Sequence, residues 1–367
     1  MNTLLSIFDD IDDPRDCNAR HDLSAMLFIC LAATLCGARS CVDVADFAAV
    51  NTAELAEMVD LPHGPPSHDS FSRLFRLLDP QQLETALHRF ARAIREGLGL
   101  APPQGVVSLD GKRVRRGYER GRASMPPLLV GLWDAETRLS LGACGRADGN
   151  EVAAALAALK MVSLKGCVVT ADALHCHPAM AAQIRAQGGD YLLKLKANHG
   201  PLFQAAQQAF AAADTAGKLA SHTVEDNDHG RIERRVGSVV AVPADAPAFP
   251  DLAAFGRIVA ERQGADGKLV RKVHYAVMSC RMTAQRMMAV NRQHWSIENN
   301  LHWQLDVVFR EDDARTRKNY GPQNLSVIRR MALDILRAHP DNRSIARKMK
   351  LATWSKPFFF ELLTHMR

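Results

Sequence analysis

Three acidic residues, Asp110, Asp172 and Glu298, lie in segments that resemble the edges of a hydrophobic core. Asp110 follows the apolar run 106–109, and Asp172 follows the apolar run 167–171. Hard oxygen ligands that leave room for water and phosphate suit Mg²⁺. Two such ions, typically about 3.5 to 4 Å apart, activate an attacking oxygen and stabilise a leaving oxygen in phosphodiester displacement. The three carboxylates therefore predict a metal site with nuclease or strand-transfer chemistry.

Two of these carboxylates have simpler interpretations. Asp110-Gly111 is also a strong signal for a two-residue hairpin turn. Glu298 shares a predicted helix face with Leu301 and His302, where an unpaired carboxylate would be costly to bury. It could instead be a partly exposed residue at the edge of that face.

Strands and helices alternate in the segment that carries the two aspartates, which predicts a mixed sheet with helices on its faces. The predicted strands are 106–110, 128–133, 139–144, 167–170 and 191–195, and the predicted helices are 151–162 and 178–187. A β-rich insertion follows at about 219–280, and a long helix at 283–305 carries Glu298. The insertion separates that helix from the sheet in sequence, but not in space.

The first 98 residues have a helical pattern. Ser67 or Asp69 can cap one helix, and Pro80 opens the next, which carries Arg89, Arg92 and Arg95. Short helices with arginines are compatible with a DNA-binding module of the helix-turn-helix type. A packing or dimerisation domain explains the same pattern.

Charge is distributed unevenly. Residues 1–60 contain 11 acidic and 3 basic side chains, whereas residues 281–367 contain 16 basic and 8 acidic ones. A basic C-terminal quarter favours a polyanionic partner such as nucleic acid. Arg343, Arg347 and Lys350 have the spacing of one helix side, which suits contact with a phosphate backbone, although solvated helix faces have similar patterns.

Composition narrows the class of protein. The chain has 367 residues, of which 47% are hydrophobic and 23% charged, as in globular proteins. No apolar run is long enough to cross a bilayer and no cleavable leader is recognised, so we expect a cytoplasmic location and no membrane partner. The eight cysteines form no Cys-x-x-Cys pair. A zinc site at His175-Cys176-His177 is not favoured, because ligands so close in sequence cannot all point inward.

Five motifs in order give the chain a resemblance to a known family. They are VVSLDGK (106–112), VVTADA (168–173), YLLKLKAN (191–198), HGRIE (229–233) and HWSIENNLHWQLD (294–306). Together they resemble the DDE transposases of bacterial insertion sequences, most closely the group of H-repeat-associated proteins. The resemblance runs nearly end to end, because residues 5 to about 94 are similar to the helical domain associated with this group.

The resemblance implies an α/β fold with a ribonuclease H-like mixed sheet, a β-rich insertion and an all-helical N-terminal domain. The implied domains are 1–98, a catalytic domain at 104–340 and a basic helical segment at 341–367. Asp110, Asp172 and Glu298 match the three acidic positions of the family. The implied cofactor is a pair of Mg²⁺ ions, replaceable by Mn²⁺, and the implied partner is double-stranded DNA bound by a homodimer.

Basic residues in and near these motifs are the predicted DNA contacts. The set is Lys112, Lys194, Lys196, Arg231, Arg292, His302, Arg343, Arg347 and Lys350. The wider relatives carry tyrosine, arginine and lysine around the glutamate, where this chain has Asn291, His294 and Leu305. Arg292 or His302 is the expected substitute for those DNA-end contacts.

The resemblance implies an enzyme that cuts element ends and joins 3′-hydroxyl groups to target DNA. Two alternatives stay open, namely a related nuclease without strand transfer and a catalytically silent DNA-binding remnant of such an element.

Overall fold

The centre of the molecule is a mixed β-sheet. The structure is a computed structural model that describes residues 2–118, 125–146, 148–217, 219–228, 231–263 and 268–364. The first five strands are β1 (Val106–Arg113), β2 (Leu128–Asp134), β3 (Leu139–Gly145), β4 (Val168–Ala171) and β5 (Asp190–Leu195). Strand β1 pairs antiparallel with β2 and parallel with β4, and β5 continues the parallel side. The spatial order β3-β2-β1-β4-β5 confirms the predicted ribonuclease H-like mixed sheet.

Helices cover both faces of this sheet. On one face, α7 (Glu151–Lys160), α8 (Pro178–Ala186) and α9 (Gly200–Thr215) share a hydrophobic cluster with Val107 and Leu109. The other face is covered by a continuous helical segment with three parts, namely α10 (Ala284–Ser296), a π-helical turn (Ile297–His302) and α11 (Trp303–Val307). Since side chains alternate along a strand, Ser108 and Asp110 point toward this second face.

The β-rich insertion extends the main sheet. Its strands are β6 (Ser221–Asp228), β7 (Arg231–Ala241), β8 (Ala254–Gln263) and β9 (Leu269–Met278). Strand β9 pairs antiparallel with β5, from Leu192 opposite Met278 to Leu195 opposite Tyr275. The described strands therefore form one nine-stranded sheet that ends with β5-β9-β8-β7-β6. As expected, the insertion leaves α10 packed on β1 and β4.

The N-terminal and C-terminal helices pack together. They are α1 (Asn2–Ser6), α2 (Leu23–Leu35), α3 (Cys41–Val50), α4 (Thr52–Ala56), α5 (His68–Leu77), α6 (Pro80–Gly97), α12 (Gly321–Ala338), α13 (Ile345–Trp354) and α14 (Lys356–Thr364). All residues of α12 from Gly321 to Leu336 are buried. One hydrophobic cluster contains side chains of α2, α6, α12 and α14. It therefore includes residues of all three predicted domains, and the boundaries between those domains stay a prediction.

Buried polar contacts join α6 to the sheet. Arg95 Nη1 donates a hydrogen bond of 2.6 Å to Asp134 Oδ2, and both side chains are buried. Glu84 Oε1 accepts hydrogen bonds from the Gly145 amide at 2.9 Å and from Gln323 Nε2 at 2.7 Å. Burial raises the pKa of Glu84 to about 7. The helical N-terminal region is therefore attached to the sheet by specific polar contacts as well as by apolar packing.

Several sequence predictions are corrected at this level. The hairpin interpretation of Asp110-Gly111 is wrong, because both residues lie inside β1, where Asp110 pairs with Gly131 of β2. The strand also continues for three residues beyond Asp110. Helices α9 and α12 were not predicted. None of the helices in the described ranges combines the length and the apolar composition needed to span a membrane.

Candidate active site

Strand register places the two aspartates side by side. The parallel ladder between β1 and β4 ends with Leu109 opposite Ala171. Asp110 and Asp172 are the next residues after this last pair. Neighbouring strands are separated by about 4.8 Å, and residues in register point to the same face. That face is the one covered by α10 and the π-helical turn.

The helical segment above them presents three polar residues spaced four apart. His294 Nε2 lies 3.4 Å from Asp172 Oδ1, and His302 Nδ1 lies 3.4 Å from Asp110 Oδ2. Glu298 is four residues from each histidine along the same helical segment, so its position falls between the two contacts. The structure thus brings Glu298 to the same surface as both aspartates.

The carboxylates influence one another electrostatically. Burial, together with the nearby charges of Asp172 and Glu298, raises the pKa of Asp110 to about 6 against the opposing charge of His294. By contrast, contacts with His294 and Lys194 hold the pKa of Asp172 well below its ordinary value. Unequal pKa values among neighbouring acids are common at functional sites.

A buried polar layer beneath the aspartates anchors α10 to the sheet. The Thr170 hydroxyl lies 3.1 Å from His294 Nδ1 and donates a 3.4 Å hydrogen bond to Ser108 Oγ. Ser108 Oγ in turn donates to the Gln293 carbonyl oxygen at 3.4 Å. Sequence reasoning missed this layer. The polar residues Ser108 and Thr170, each two positions before an aspartate on an apolar strand, were its signal.

The structure agrees with the alternative interpretation of Glu298, that of a partly exposed residue at the edge of the helix face. Glu298 is partly exposed and Trp295 is 50% exposed, whereas Ile297 and Leu301 are buried. Glu298 therefore lies at the edge of the apolar stripe. The turn is π-helical, with the Trp303 amide donating to the Glu298 carbonyl oxygen five residues earlier. Such single π turns often occur at functional sites.

Two family models match most of this chain. A family model described as a transposase DDE domain matches residues 77–335, and a second model, described as associated with that domain, matches residues 5–91. This chain belongs to the DDE transposase family. The two matches overlap in α6, which contributes Glu84 and Arg95 to the junction with the sheet.

Two relatives of this transposase match almost its whole length, and a third matches a shorter part. YbfL of Escherichia coli K12 is 29% identical over 94% of this chain and 92% of its own. YhhI of the same strain, an H repeat-associated protein whose name gives it provisionally as a transposase, is 28% identical with the same coverage. A protein from the dhlA 3′ region of Xanthobacter autotrophicus is 38% identical over 62% of this chain and 77% of its own.

The candidate site of the transposase has the donor chemistry for divalent cations. The carboxylates are hard oxygen donors, and the partly buried Asp110 lies among other negative charges, which a cation would offset. In this conformation Lys194 Nζ donates a 2.6 Å hydrogen bond to Asp172 Oδ1. Among the described residues, no group of three or more His, Cys, Asp or Glu side chains is arranged to hold an ion. A divalent cation at Asp172 would therefore have to displace Lys194.

Two predicted DNA contacts are not available to DNA in this structure. Lys112 is buried, and its Nζ donates a 2.5 Å hydrogen bond to Asp306 Oδ1. His302 faces Asp110. Both assignments are corrected, because these side chains are only 6% and 14% exposed and their donors are directed at carboxylates within the protein.

The other basic residues near the site have varied environments. Lys196 is exposed, while Lys194 lies between Asp172 and the ring of Trp295, 5.4 Å from its centroid. Arg292 is exposed, and its Nη1 contacts Asp226 Oδ2 of β6 at 3.1 Å. Residues 229 and 230 of the HGRIE motif and the side chain of Arg231 lie outside the described part of the chain.

The basic tail is only partly a helix face. Arg347 and Lys350 are exposed on α13, but Arg343 precedes that helix and pairs with Asp341 at 2.9 Å. The predicted alignment of all three charges along one helix is therefore wrong for Arg343. Lys348 is buried and donates to the Leu336 and His339 carbonyl oxygens, which gives it a structural role at the end of α12.

Arginines of the N-terminal helices largely have internal partners. Arg89 pairs with Asp10, Arg73 with Asp16 at 3.2 Å, and Arg95 with Asp134. Arg92 is exposed beside Glu96. These pairs favour the packing interpretation of this region over the helix-turn-helix interpretation.

Proposed function

We propose that this transposase cuts the ends of an insertion sequence and joins the freed 3′-hydroxyl groups to target DNA at Asp110, Asp172 and Glu298. One observation supports the proposal: the register of β1 and β4 makes Asp110 and Asp172 neighbours, and Glu298 lies in the helical segment between the two histidines that contact them. A nuclease without strand transfer would use the same site, so the products of the reaction distinguish the two.

The three carboxylates would hold a pair of Mg²⁺ ions, with Mn²⁺ as a substitute. When bound, such ions activate the attacking oxygen and stabilise the leaving oxygen of the phosphodiester. The protein contributes the orientation of the carboxylates, and the partly buried position of Asp110 limits water on the side of the sheet. Lys194, once released from Asp172, is placed to contact the phosphate that enters.

We further propose that DNA reaches the site along the exposed end of β9. The last residue of β5, Leu195, pairs with Tyr275. The part of β9 that precedes Tyr275, residues 269–274, therefore extends past the end of β5, and it is exposed. Partial desolvation lowers the pKa of His274, and the charges of Lys194, Lys272 and Lys196 lower it further. A cluster of cations beside Asp172 suits a phosphate backbone.

The catalytic assignment is tested with Asp110→Asn, Asp172→Asn and Glu298→Gln. Each substitution should reduce Mg²⁺-dependent cleavage of end-containing DNA by at least about 100-fold, because it removes a metal ligand. DNA binding measured with chelator should persist or tighten, since each removes a negative charge that faces phosphate. The measurement is cleavage of labelled DNA beside a binding assay on the same preparations.

Asp214→Asn is the matched control, because Asp214 is an aspartate of α9 paired with Arg257 on the molecular surface. It should leave cleavage unchanged. Near-wild-type cleavage by any of the three test variants at saturating Mg²⁺ would exclude that residue as a ligand. DNA binding without any cleavage by the wild-type protein would favour the catalytically silent alternative.

A further inference from the structure

Two histidines flank Glu298 symmetrically, and each is directed at a different aspartate. His294 lies four residues before Glu298 and His302 four residues after it. Their ring nitrogens are each 3.4 Å from one carboxylate oxygen, of Asp172 and Asp110 respectively. The side chains are 2% and 14% exposed, so neither ring forms part of the open surface.

The ring of His294 is held from behind. Its Nδ1 lies 3.1 Å from the Thr170 hydroxyl, in the polar layer that connects α10 to β1 and β4. The opposite ring nitrogen, Nε2, is therefore directed at Asp172. A histidine fixed on one nitrogen and directed at a carboxylate with the other restricts the rotation of that carboxylate.

His302 is oriented by the backbone of the π-helical turn, of which it is the last residue. The turn passes over the centre of the sheet, because a Cβ atom placed on Gly131 would lie 3.3 Å from Leu301 Cδ2. Gly131 is the β2 partner of Asp110. The close approach that Gly131 allows thus brings His302 down to Asp110.

We infer that His294 and His302 are positioning residues, which hold the carboxylates of Asp172 and Asp110 toward Glu298 so that the three can share divalent cations. This inference rests on the proposed function of the same site. Residues that orient metal ligands typically change metal affinity by about 10- to 100-fold when they are replaced.

The test is Mn²⁺ affinity of the full-length protein without DNA, measured by electron paramagnetic resonance, together with the rise in Tm that Mn²⁺ produces. His294→Ala and His302→Ala should each weaken Mn²⁺ binding by about 10- to 100-fold and reduce the rise in Tm. His88→Ala is the matched control. His88 is a buried histidine of α6 beside Cys144 of β3, and its loss should leave Mn²⁺ affinity unchanged.

Conservative variants separate positioning from packing. The atom of His302 that faces Asp110 is Nδ1, which an asparagine amide reproduces, whereas the atom of His294 that faces Asp172 is Nε2, which a glutamine amide reproduces. His302→Asn should therefore restore more affinity than His302→Gln, and His294→Gln more than His294→Asn. This comparison decides the question even where an alanine variant fails to fold.

Mn²⁺ affinity that is unchanged in both alanine variants but lost in Asp172→Asn would overturn the positioning role alone. Equal affinities for the asparagine and glutamine variants at both positions would also overturn it. A wild-type protein that binds no Mn²⁺, with or without DNA, would overturn the proposed function and this inference with it.

Discussion

At the scale of single residues, the contact between Lys194 and Asp172 bears most directly on the proposed metal binding. The ammonium donates to Asp172 Oδ1 and lies over the ring of Trp295. A cation at this position partly offsets the negative charge of the three carboxylates. It therefore stabilises the metal-free site and competes with any ion that would bind there.

Replacing Lys194 tests this competition. Lys194→Met should tighten Mn²⁺ binding in the absence of DNA by several-fold, because Asp172 loses its internal cation. The same variant should bind DNA more weakly if the ammonium contacts phosphate in the complex. Mn²⁺ titration and a DNA-binding assay measure the two effects.

Lys196→Met is the matched control, since Lys196 is exposed two residues further on and has no contact with Asp172 among the described side chains. It should leave Mn²⁺ affinity close to that of the wild type. Weaker Mn²⁺ binding by Lys194→Met would show that the lysine supports the metal site and does not compete with it.

At the scale of secondary-structure elements, the junction of α6 with β3 and α12 contains an acid that does not ionise readily. Glu84 is buried, and its pKa is raised to about 7 mainly by burial. A carboxyl group whose pKa is raised in the folded state contributes most to stability at low pH, and that contribution is lost as the pH rises toward 7. The interface of these elements is therefore predicted to weaken between about pH 4.5 and pH 7, and to stay weakened above that range.

Glu84→Gln tests the junction. The amide keeps an oxygen for the Gly145 N–H but cannot ionise, so the variant should be more stable than the wild type at pH 8, by about 1–3 kcal/mol. At pH 5 the advantage should be absent or reversed, because the wild-type carboxyl is then protonated. Urea unfolding at both pH values measures the difference.

Glu96→Gln is a suitable control for that experiment, because Glu96 is an exposed glutamate of the same helix. Its effect should be small at both pH values. An equal loss of stability at pH 5 and pH 8 in Glu84→Gln would mean that the hydrogen-bond geometry matters at this position and the ionisation does not.

At the scale of the whole molecule, the uneven charge of the sequence is partly cancelled by folding. Acidic residues of the N-terminal segment pair with arginines of α5 and α6, as Asp10 does with Arg89. The basic side chains that stay exposed include Lys196 and Lys272 beside the candidate site and Arg347 and Lys350 on α13. These two pairs define the two proposed DNA surfaces.

The dependence of DNA affinity on salt tests the two surfaces. Lys196→Ala with Lys272→Ala should lower the slope of log affinity against log salt by up to about 2 units, near 0.9 for each lost phosphate contact. Arg347→Ala with Lys350→Ala should produce a similar decrease if α13 also follows the backbone. Specific and non-specific DNA should be affected about equally, because phosphate contacts carry no sequence information.

The double variant Lys160→Ala with Lys165→Ala is the control, because it removes two positive charges, as each test pair does. Both lysines are exposed before β4, at the opposite end of that strand from Asp172. The slope should not change in this control. An unchanged slope in either test pair, with the protein folded, would exclude the corresponding surface as a path for DNA.

The sequence by itself determined the elements whose signals are local. Apolar runs gave the five strands of the mixed sheet, and the periodic pattern from residue 283 onward gave the helix that carries Glu298. Asp110, Asp172 and Glu298 were selected because each lies at the edge of an apolar segment. Hydrophobic periodicity and capping depend on neighbours in the chain, so they can be read without knowing the fold.

Only the tertiary structure decided which distant groups face each other. Lys112 lies 194 residues from Asp306, and His294 lies 122 residues from Asp172, yet these contacts decide which cations are free and which are internal. Helix α12 is buried throughout because helices from both ends of the chain pack around it. Strand register and helix packing determine such partners. Neither can be read from the spacing of residues along the sequence.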